Sequence, residues 1–164
     1  MKEQDFKFFK ELVEAPSPSG FEQPAQRVIR QALADVADNI RTDVMGNVVA
    51  HIEGPKGAPR LMLAGHCDEI GFMIKYIDDQ GYLFFAPIGG VDAHLVPGQR
   101  VTVHTNTGPV PGVVGKRPIH QIEPQDREKV MPFKNQFIDI GCTDKQAAVK
   151  LVSIGDPVTF SVGV

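Results

Sequence analysis

The chain has 164 residues, of which 42% are hydrophobic, so it is long enough for one ordinary domain or two small ones with a packed core. Its 17 Lys and Arg residues against 20 Asp and Glu residues give a net charge of -3 with mixed signs, which argues against a nucleic-acid or polybasic membrane binder. No apolar stretch approaches the ~20 residues of a membrane span, and the start lacks the apolar core of a signal peptide. A soluble cytoplasmic protein with reduced Cys67 and Cys142 is therefore expected.

The first third of the chain has the pattern of an α/β fold. Apolar residues at helical spacing predict one helix over residues 3–15 and a second over residues 21–36. Ser19 or Gly20 is expected to cap the start of the second helix. Residues 48–52 are rich in β-branched residues and follow a turn sequence, which predicts a strand.

After residue 70 the helical periodicity stops, and short β-prone runs alternate with turns rich in Gly, Asn and Asp. Six such runs predict a small β-barrel or sandwich. The six runs are residues 71–76, 81–87, 100–105, 110–114, 136–140 and 157–162. Within this part, only residues 144–151 have a helical pattern.

The segment with the clearest chemistry is His66-Cys67-Asp68, which follows the apolar run at residues 60–65. That run predicts a strand buried on both faces, and open α/β sheets place their sites at the carboxyl ends of such strands. Since side chains alternate along an extended backbone, His66 and Asp68 are expected on one side, where the imidazole can bind a metal ion and the carboxylate can orient it. The alternative is structural: His66 hydrogen-bonds within the strand end and Asp68 caps a turn. Cys67 points the other way and is interpreted as a small core residue, with metal ligation as its alternative.

Other candidate ligands lack the spacing of a metal site. Four histidines are interpreted as surface or hydrogen-bonded side chains: His51, His94, His104 and His120. Asp156 lies in a Gly-Asp-Pro sequence typical of a turn before the last strand, with metal ligation as its alternative.

A series of motifs in the chain resembles the N-terminal part of the two-metal aminopeptidases of the glutamyl and tetrahedral aminopeptidase type. Some members of that family carry an endoglucanase label. The motifs that carry the resemblance are residues 16–22, 43–47, 64–72, 88–92, 97–101, 112–120, 138–141 and 154–158. They occur in the family's order and spacing and cover essentially the whole chain.

The resemblance implies a fold with two parts. Residues 1–70 match the N-terminal part of an α/β metallopeptidase domain, and residues 71–162 match a β-barrel domain inserted into it and used for subunit assembly. The expected fold class is therefore an α/β catalytic-domain fragment, with two helices plus sheet strands, followed by a small β-barrel insertion domain. The remainder of the catalytic domain is expected to be absent from this chain.

The resemblance also implies a metal site. In the family, the His of the His-X-Asp motif is one of five ligands to two divalent ions, usually zinc or cobalt, that activate a water to remove N-terminal residues from peptides. His66 matches that metal ligand, and Asp68 matches the carboxylate that supports it. The other ligands and the catalytic Glu match no segment of this sequence, so the chain alone is expected to bind metal weakly or not at all and to be inactive.

Two functions from different classes follow from these observations. The first is a metal-dependent aminopeptidase that acts on peptides and assembles into a homo-oligomer through its barrel domain, with no nucleic-acid or membrane partner. The alternative is a stand-alone interaction or assembly module with a vestigial peptidase segment. Glycoside hydrolysis would need two opposed carboxylates, and nothing in the sequence nominates such a pair.

Overall fold

A computed structural model describes residues 2–161 and Gly163. The chain forms two compact units, one that extends to Asp68 and one formed by Glu69–Gly163. None of the described helices is both long and apolar enough to cross a membrane.

The first unit contains two helices and a two-stranded hairpin. The helices are α1, Glu3–Glu14, and α2, Gln23–Leu33; the strands are β1, Asn39–Thr42, and β2, Val48–His51, and they pair antiparallel. Both predicted helices and the strand at residues 48–52 are confirmed. Strand β1 was not predicted, because its sequence Asn-Ile-Arg-Thr holds a single apolar residue and therefore carries no alternation.

Residues 43–47 form the turn of this hairpin, and Asp43 holds it closed. Its carboxylate accepts hydrogen bonds from the backbone N–H groups of Met45 and Asn47 and from the Asn47 side chain, each at 2.9 Å. These bonds, first of all the one from the Asn47 side chain, lower the pKa of Asp43. An ionised Asp43 therefore fixes the connection between the two strands.

The predicted strand at residues 60–65 is wrong. Leu61, Met62 and Leu63 are 84%, 85% and 88% exposed, and this segment lies in no strand. A strand needs a hydrogen-bonded neighbour, and in the described part of the first unit β1 and β2 pair only with each other. The apolar composition of residues 60–65 favours burial, but no described strand of the first unit pairs with this segment.

Six antiparallel strands of the second unit close into a barrel in the order β3-β4-β7-β6-β5-β8. The strands are β3, Gly71–Ile77; β4, Leu83–Ile88; β5, Arg100–Thr105; β6, Gly108–Lys116; β7, Gln136–Asp139; and β8, Pro157–Phe160. All six predicted runs contain strands, with residue 162 of the last run outside the described residues, and the structure shows a barrel, not a sandwich. Closure leaves no free sheet edge, which removes a route to edge-to-edge aggregation.

Alternate residues of the strands fill the inside of this barrel. The fully buried side chains there include Phe72, Ile74, Leu83, Phe85, Val101, Val103, Val114, Ile138 and Val158. Among them, the Phe72 ring contacts two others edge-on, with the ring centroid of Phe85 at 4.7 Å and that of Phe160 at 5.2 Å. The core is built mainly from the barrel's own strands, and Val96, Ala148 and Val152 add to it from the connections.

A short helix and a long connection complete the second unit. Helix α3, Lys145–Ala148, falls within the segment predicted as helical, and Asp144 caps it by accepting a 2.8 Å hydrogen bond from the Ala147 N–H. Residues 117–135 connect β6 to β7 through three short 3-10 turns. No sequence periodicity predicted these turns.

Gln136 at the start of β7 joins two loops to the barrel. Its side chain is fully buried, and Nε2 donates to the carbonyl oxygens of Ala93 at 3.0 Å and Met131 at 2.8 Å. We expect Gln136→Met, which keeps the volume, to lower the free energy of unfolding by about 1–3 kcal/mol, since two part-buried hydrogen bonds, each worth about 0.5–1.5 kcal/mol, are lost. Urea unfolding followed by circular dichroism measures the loss, with exposed Gln125→Met as control; equal curves for the two variants would contradict the assigned role.

Candidate functional site

The side chains of the His-X-Asp pair contact each other at the end of the first unit. Nδ1 of His66 lies 2.9 Å from Oδ1 of Asp68 and 3.2 Å from the Asp68 backbone carbonyl oxygen. Side-chain alternation predicted this shared side. The His66 side chain is 86% exposed and Nδ1 is used in the pair, so Nε2 is the ring nitrogen left for a ligand.

Each carboxylate oxygen of Asp68 has a polar partner. Oδ2 accepts a short hydrogen bond from the Ser19 hydroxyl, while Oδ1 faces the imidazole of His66. The Ser19 hydroxyl, and after it His66, hold the pKa of Asp68 below its ordinary value. Asp68 is therefore ionised at neutral pH, and a carboxylate in this place favours the imidazole tautomer that carries its proton on Nδ1.

A tight turn at residues 18–21 directs Ser19 to Asp68. The Phe21 N–H donates to the Pro18 carbonyl oxygen at 2.7 Å, and Gly20 has φ +94°. This is a type II turn, which needs a positive φ at its third residue and therefore favours Gly there. Ser19 occupies the second position of this turn, and its hydroxyl reaches Oδ2 of Asp68.

The expected helix cap is wrong. Helix α2 is preceded by Glu22, whose side chain makes no capping hydrogen bond to the helix and instead accepts one from the Gly20 N–H at 2.7 Å. A Ser before a helix is a local capping signal. Here its hydroxyl has a charged acceptor 49 residues further along the chain, which local sequence reasoning missed.

Cys67, between the two site residues, is a free and half-buried thiol, so it is less buried than the core position expected for it. Burial, and then the negative charges of Glu22 and Asp68, raise its pKa. Since a thiolate is the form that binds metal, these surroundings disfavour the ligand alternative. Cys142 packs partly against the barrel core, and neither cysteine forms a disulfide, as expected.

The pair fits one ligand position of a metal site. A histidine whose Nδ1 faces a carboxylate and whose Nε2 is exposed is the arrangement found at metal-binding histidines. Among the described residues, no group of three or more His, Cys, Asp or Glu side chains could hold a metal ion. The described residues therefore fit one supported imidazole ligand and do not assemble a complete site.

The remaining candidates take the structural roles expected for them. Asp156 accepts a 2.8 Å hydrogen bond from the Ser153 N–H in the turn before β8, and Nε2 of His51 lies 3.6 Å from the Glu53 carboxylate. Nε2 of His104 lies 2.8 Å from the Thr159 hydroxyl oxygen inside the second unit. His94 and His120 are exposed and lie in a turn and a 3-10 turn.

His104 makes the stability of the second unit depend on pH. Its half-buried position lowers its pKa below the ordinary 6.5, so the folded unit binds this proton less readily than the unfolded chain does. The contribution of His104 to the free energy of unfolding is therefore fully present above the ordinary pKa of about 6.5 and is lost as the pH falls below it. The slope stays under the ~1.4 kcal/mol per pH unit that one full proton would give. We expect His104→Gln to reduce the slope of the unfolding free energy, measured with urea, against pH. The exposed control His94→Gln should keep the slope. An unchanged slope in His104→Gln would show that another group causes the pH dependence.

A histidine supported by a carboxylate, followed along the chain by a six-stranded barrel, is the order of features that the resemblance to the two-metal aminopeptidases implies. The family model of the M42 glutamyl aminopeptidases matches residues 46–164. The chain belongs to the M42 glutamyl aminopeptidase family, which confirms the resemblance inferred from its motifs.

The chain spans less than half the length of the three relatives described next. Lysyl aminopeptidase of Pyrococcus furiosus is 36% identical over 149 residues, which are 90% of this chain and 42% of that protein. A TET aminopeptidase from a marine sediment Thaumarchaeota archaeon superposes with a TM-score of 0.91 at 35% identity, covering 96% of this chain and 45% of that one. The Pyrococcus horikoshii TET1 peptidase, described as able to assemble into a tetrahedron or a large octahedral shell, has a TM-score of 0.83 at 33% identity, covering 95% of this chain and 46% of that one.

Proposed function

We propose that this chain supplies part of a metal-dependent aminopeptidase that removes N-terminal residues from peptides. In this proposal His66 is a metal ligand through Nε2, and Asp68 supports it through Nδ1. The observation that carries the proposal is the 2.9 Å contact between His66 Nδ1 and Asp68 Oδ1, with the other face of the imidazole exposed. Membership of a family of peptidases supplies the reaction class.

In such a site the metal ions and the protein side chains contribute different parts of the chemistry. Two bound divalent ions, zinc or cobalt, would lower the pKa of a water and polarise the peptide carbonyl. Asp68 keeps the proton of a neutral His66 on Nδ1, so that Nε2 presents its lone pair. Ser19 and His66 keep the Asp68 carboxylate charged for that task.

A stand-alone interaction module is the less favoured alternative. Such a module would need the barrel but not the hydrogen-bonded series Ser19, Asp68 and His66. The family match, which extends over residues 46–164, includes both His66 and the barrel and therefore also favours the enzyme.

A chimera with a longer relative tests the activity. In it, this chain replaces the segment that it matches in the Pyrococcus furiosus lysyl aminopeptidase, and hydrolysis of amino-acid anilides is measured with zinc or cobalt. We expect metal-dependent hydrolysis by the chimera and none by the 164-residue chain alone, because its described residues offer no three-ligand group. Metal-dependent turnover by the chain alone would show that this ligand count is wrong.

The domain assignment is also a proposal. Residues 1–70 would provide the N-terminal part of the α/β domain, and residues 71–162 a barrel domain through which copies of the chain assemble. Two observations support assembly through the barrel. The TET1 relative can assemble into a tetrahedron or a large octahedral shell. Tyr76, Met73 and Val113 are 49%, 43% and 45% exposed on barrel strands. Tyr76 lies beside Phe84, with ring centroids 6.0 Å apart, and exposed aromatic side chains are enriched at protein interfaces.

Substitution of Tyr76 tests this assembly surface. We expect the chain to sediment as a dimer or larger species at tens of micromolar and Tyr76→Ser to shift it toward monomer, since an aromatic anchor carries much of an interface's binding energy. Lys75→Ser, on the same strand, is the matched control. If instead Leu61→Ser and Leu63→Ser abolish association and Tyr76→Ser does not, the exposed run at residues 60–65 carries it and the barrel assignment is wrong.

A further inference from the structure

Ser19 has no role in the sequence-based description of the site, yet its hydroxyl is the second hydrogen-bond partner of the carboxylate next to His66. Ser19 donates to Asp68 Oδ2, and Asp68 Oδ1 faces His66 Nδ1 at 2.9 Å. The three side chains therefore form one continuous series that ends at the exposed imidazole. Within that series, the hydroxyl and the imidazole contact different oxygens of the same carboxylate.

We infer that Ser19 is a positioning residue, which fixes the tautomer and orientation of His66 by holding the Asp68 carboxylate in place. The inference rests on the proposed function in that the imidazole so fixed is the proposed metal ligand. Ser19 itself touches neither metal nor substrate in this proposal. It acts through Asp68.

The backbone holds Ser19 in place before any ligand binds. The turn at residues 18–21 is closed by the 2.7 Å hydrogen bond from Phe21 to Pro18, and Ser17 and Pro18 on its entry side are buried. Gly20, with φ +94°, adopts the conformation that other residues take only with strain. Ser19 is therefore an exposed side chain on a fixed backbone, which suits it to position another group.

The chemical consequence concerns which imidazole nitrogen carries the proton. An Asp68 side chain free to rotate could turn either oxygen, or neither, toward His66, since an exposed carboxylate has a broad terminal torsion. With Oδ2 bonded to Ser19, Oδ1 is kept opposite Nδ1. Nδ1 then keeps the proton, and Nε2 remains an acceptor.

Nitrogen NMR of the metal-free, full 164-residue chain measures this directly. With ¹⁵N-labelled histidine at about pH 9, where an ordinary imidazole is neutral, long-range proton–nitrogen spectra show which ring nitrogen is protonated. His66→Gln assigns the signals among the five histidines. We expect His66 to be mainly protonated on Nδ1 in the native chain, and Ser19→Ala to lower the ratio of Nδ1–H to Nε2–H by about two- to tenfold, the effect of losing one hydrogen bond.

Two further variants separate positioning from folding. Ser19→Thr keeps the hydroxyl and tolerates the extended backbone of this turn position, so it is expected to restore the native ratio. Ser153→Ala, an exposed serine of the second unit, is the matched control and should leave the His66 signals unchanged. If Ser19→Ala disrupts the fold by circular dichroism, Ser19→Thr and Ser19→Cys still decide, because only the hydroxyl is a strong donor to a carboxylate.

Cobalt distinguishes the failure of this inference from failure of the metal proposal. Low concentrations of Co²⁺ should broaden the His66 signals before those of the exposed His94, and less so in Ser19→Ala. A tautomer ratio that changes in Ser19→Ala supports the positioning role even if cobalt does not broaden the His66 signals. That absence of broadening would overturn only the assignment of His66 as a ligand. A ratio unchanged in Ser19→Ala, or not restored in Ser19→Thr, overturns the positioning role whatever cobalt does.

Discussion

Replacing His66 with Ala in the chimera with lysyl aminopeptidase is expected to lower kcat/KM for amino-acid anilides by at least about 100-fold. Loss of a partner that only supports a metal ligand typically lowers affinity or activity by about 10- to 100-fold, so loss of the ligand itself should exceed that range. Asp68→Asn should fall within it, because the amide keeps the shape of the side chain and removes the charge opposite His66 Nδ1.

Controls and metal dependence make this result specific. His94→Ala removes an exposed histidine of the second unit and should leave kcat/KM within about twofold of the unsubstituted chimera. If His66 is a ligand, excess metal should restore part of the activity of Asp68→Asn and little of that of His66→Ala, since only the latter has lost the donor atom. Activity of His66→Ala equal to that of His94→Ala would remove His66 from the metal site.

The barrel was the most predictable part of the molecule, because its signals are local. Each strand alternates inward and outward residues, as in Val101 and Val103 of β5, and each is bounded by a turn sequence. Local alternation predicts which face is buried, and connections of a few residues account for two of the six strand pairs, β3 with β4 and β5 with β6. The connection at residues 117–135 was not predictable, since its single-turn 3-10 segments have no period to detect.

The first unit was harder to predict because its decisive contacts are not local. The run at residues 60–65 has the composition of a buried strand, but its neighbours would have to come from elsewhere in the sequence, and Leu61 and Leu63 are exposed. Ser19 has the sequence context of a helix cap, but its acceptor lies 49 residues away. His66 and Asp68 were placed together correctly because they are only two positions apart, so side-chain alternation alone predicts their contact.

Hydrogen exchange is expected to differ sharply between the two units. In the described part of the first unit, the buried residues are Ser17, Pro18 and Ala25, whereas the second unit has a closed barrel with a continuous apolar core. Burial of apolar area is what offsets the conformational entropy lost on folding, so the first unit should open at a lower free energy.

The amides of residues 60–65 and of strand β5 give the sharpest comparison. Within the described residues, none of the amides at 60–65 donates a backbone hydrogen bond, whereas Val101 and Val103 lie in a strand paired on both sides, to β6 and β8. Exchange measured by mass spectrometry or NMR at constant pH should therefore be near the unfolded rate at 60–65 and slower by roughly 10³-fold or more at β5, given an opening free energy of several kcal/mol. Helices α1 and α2 should fall between these limits, because their internal hydrogen bonds open by local fraying. Slower exchange at residues 61–64 than at Val101 and Val103 would mean that the apolar run is paired in solution, and the barrel would then no longer be the more stable unit.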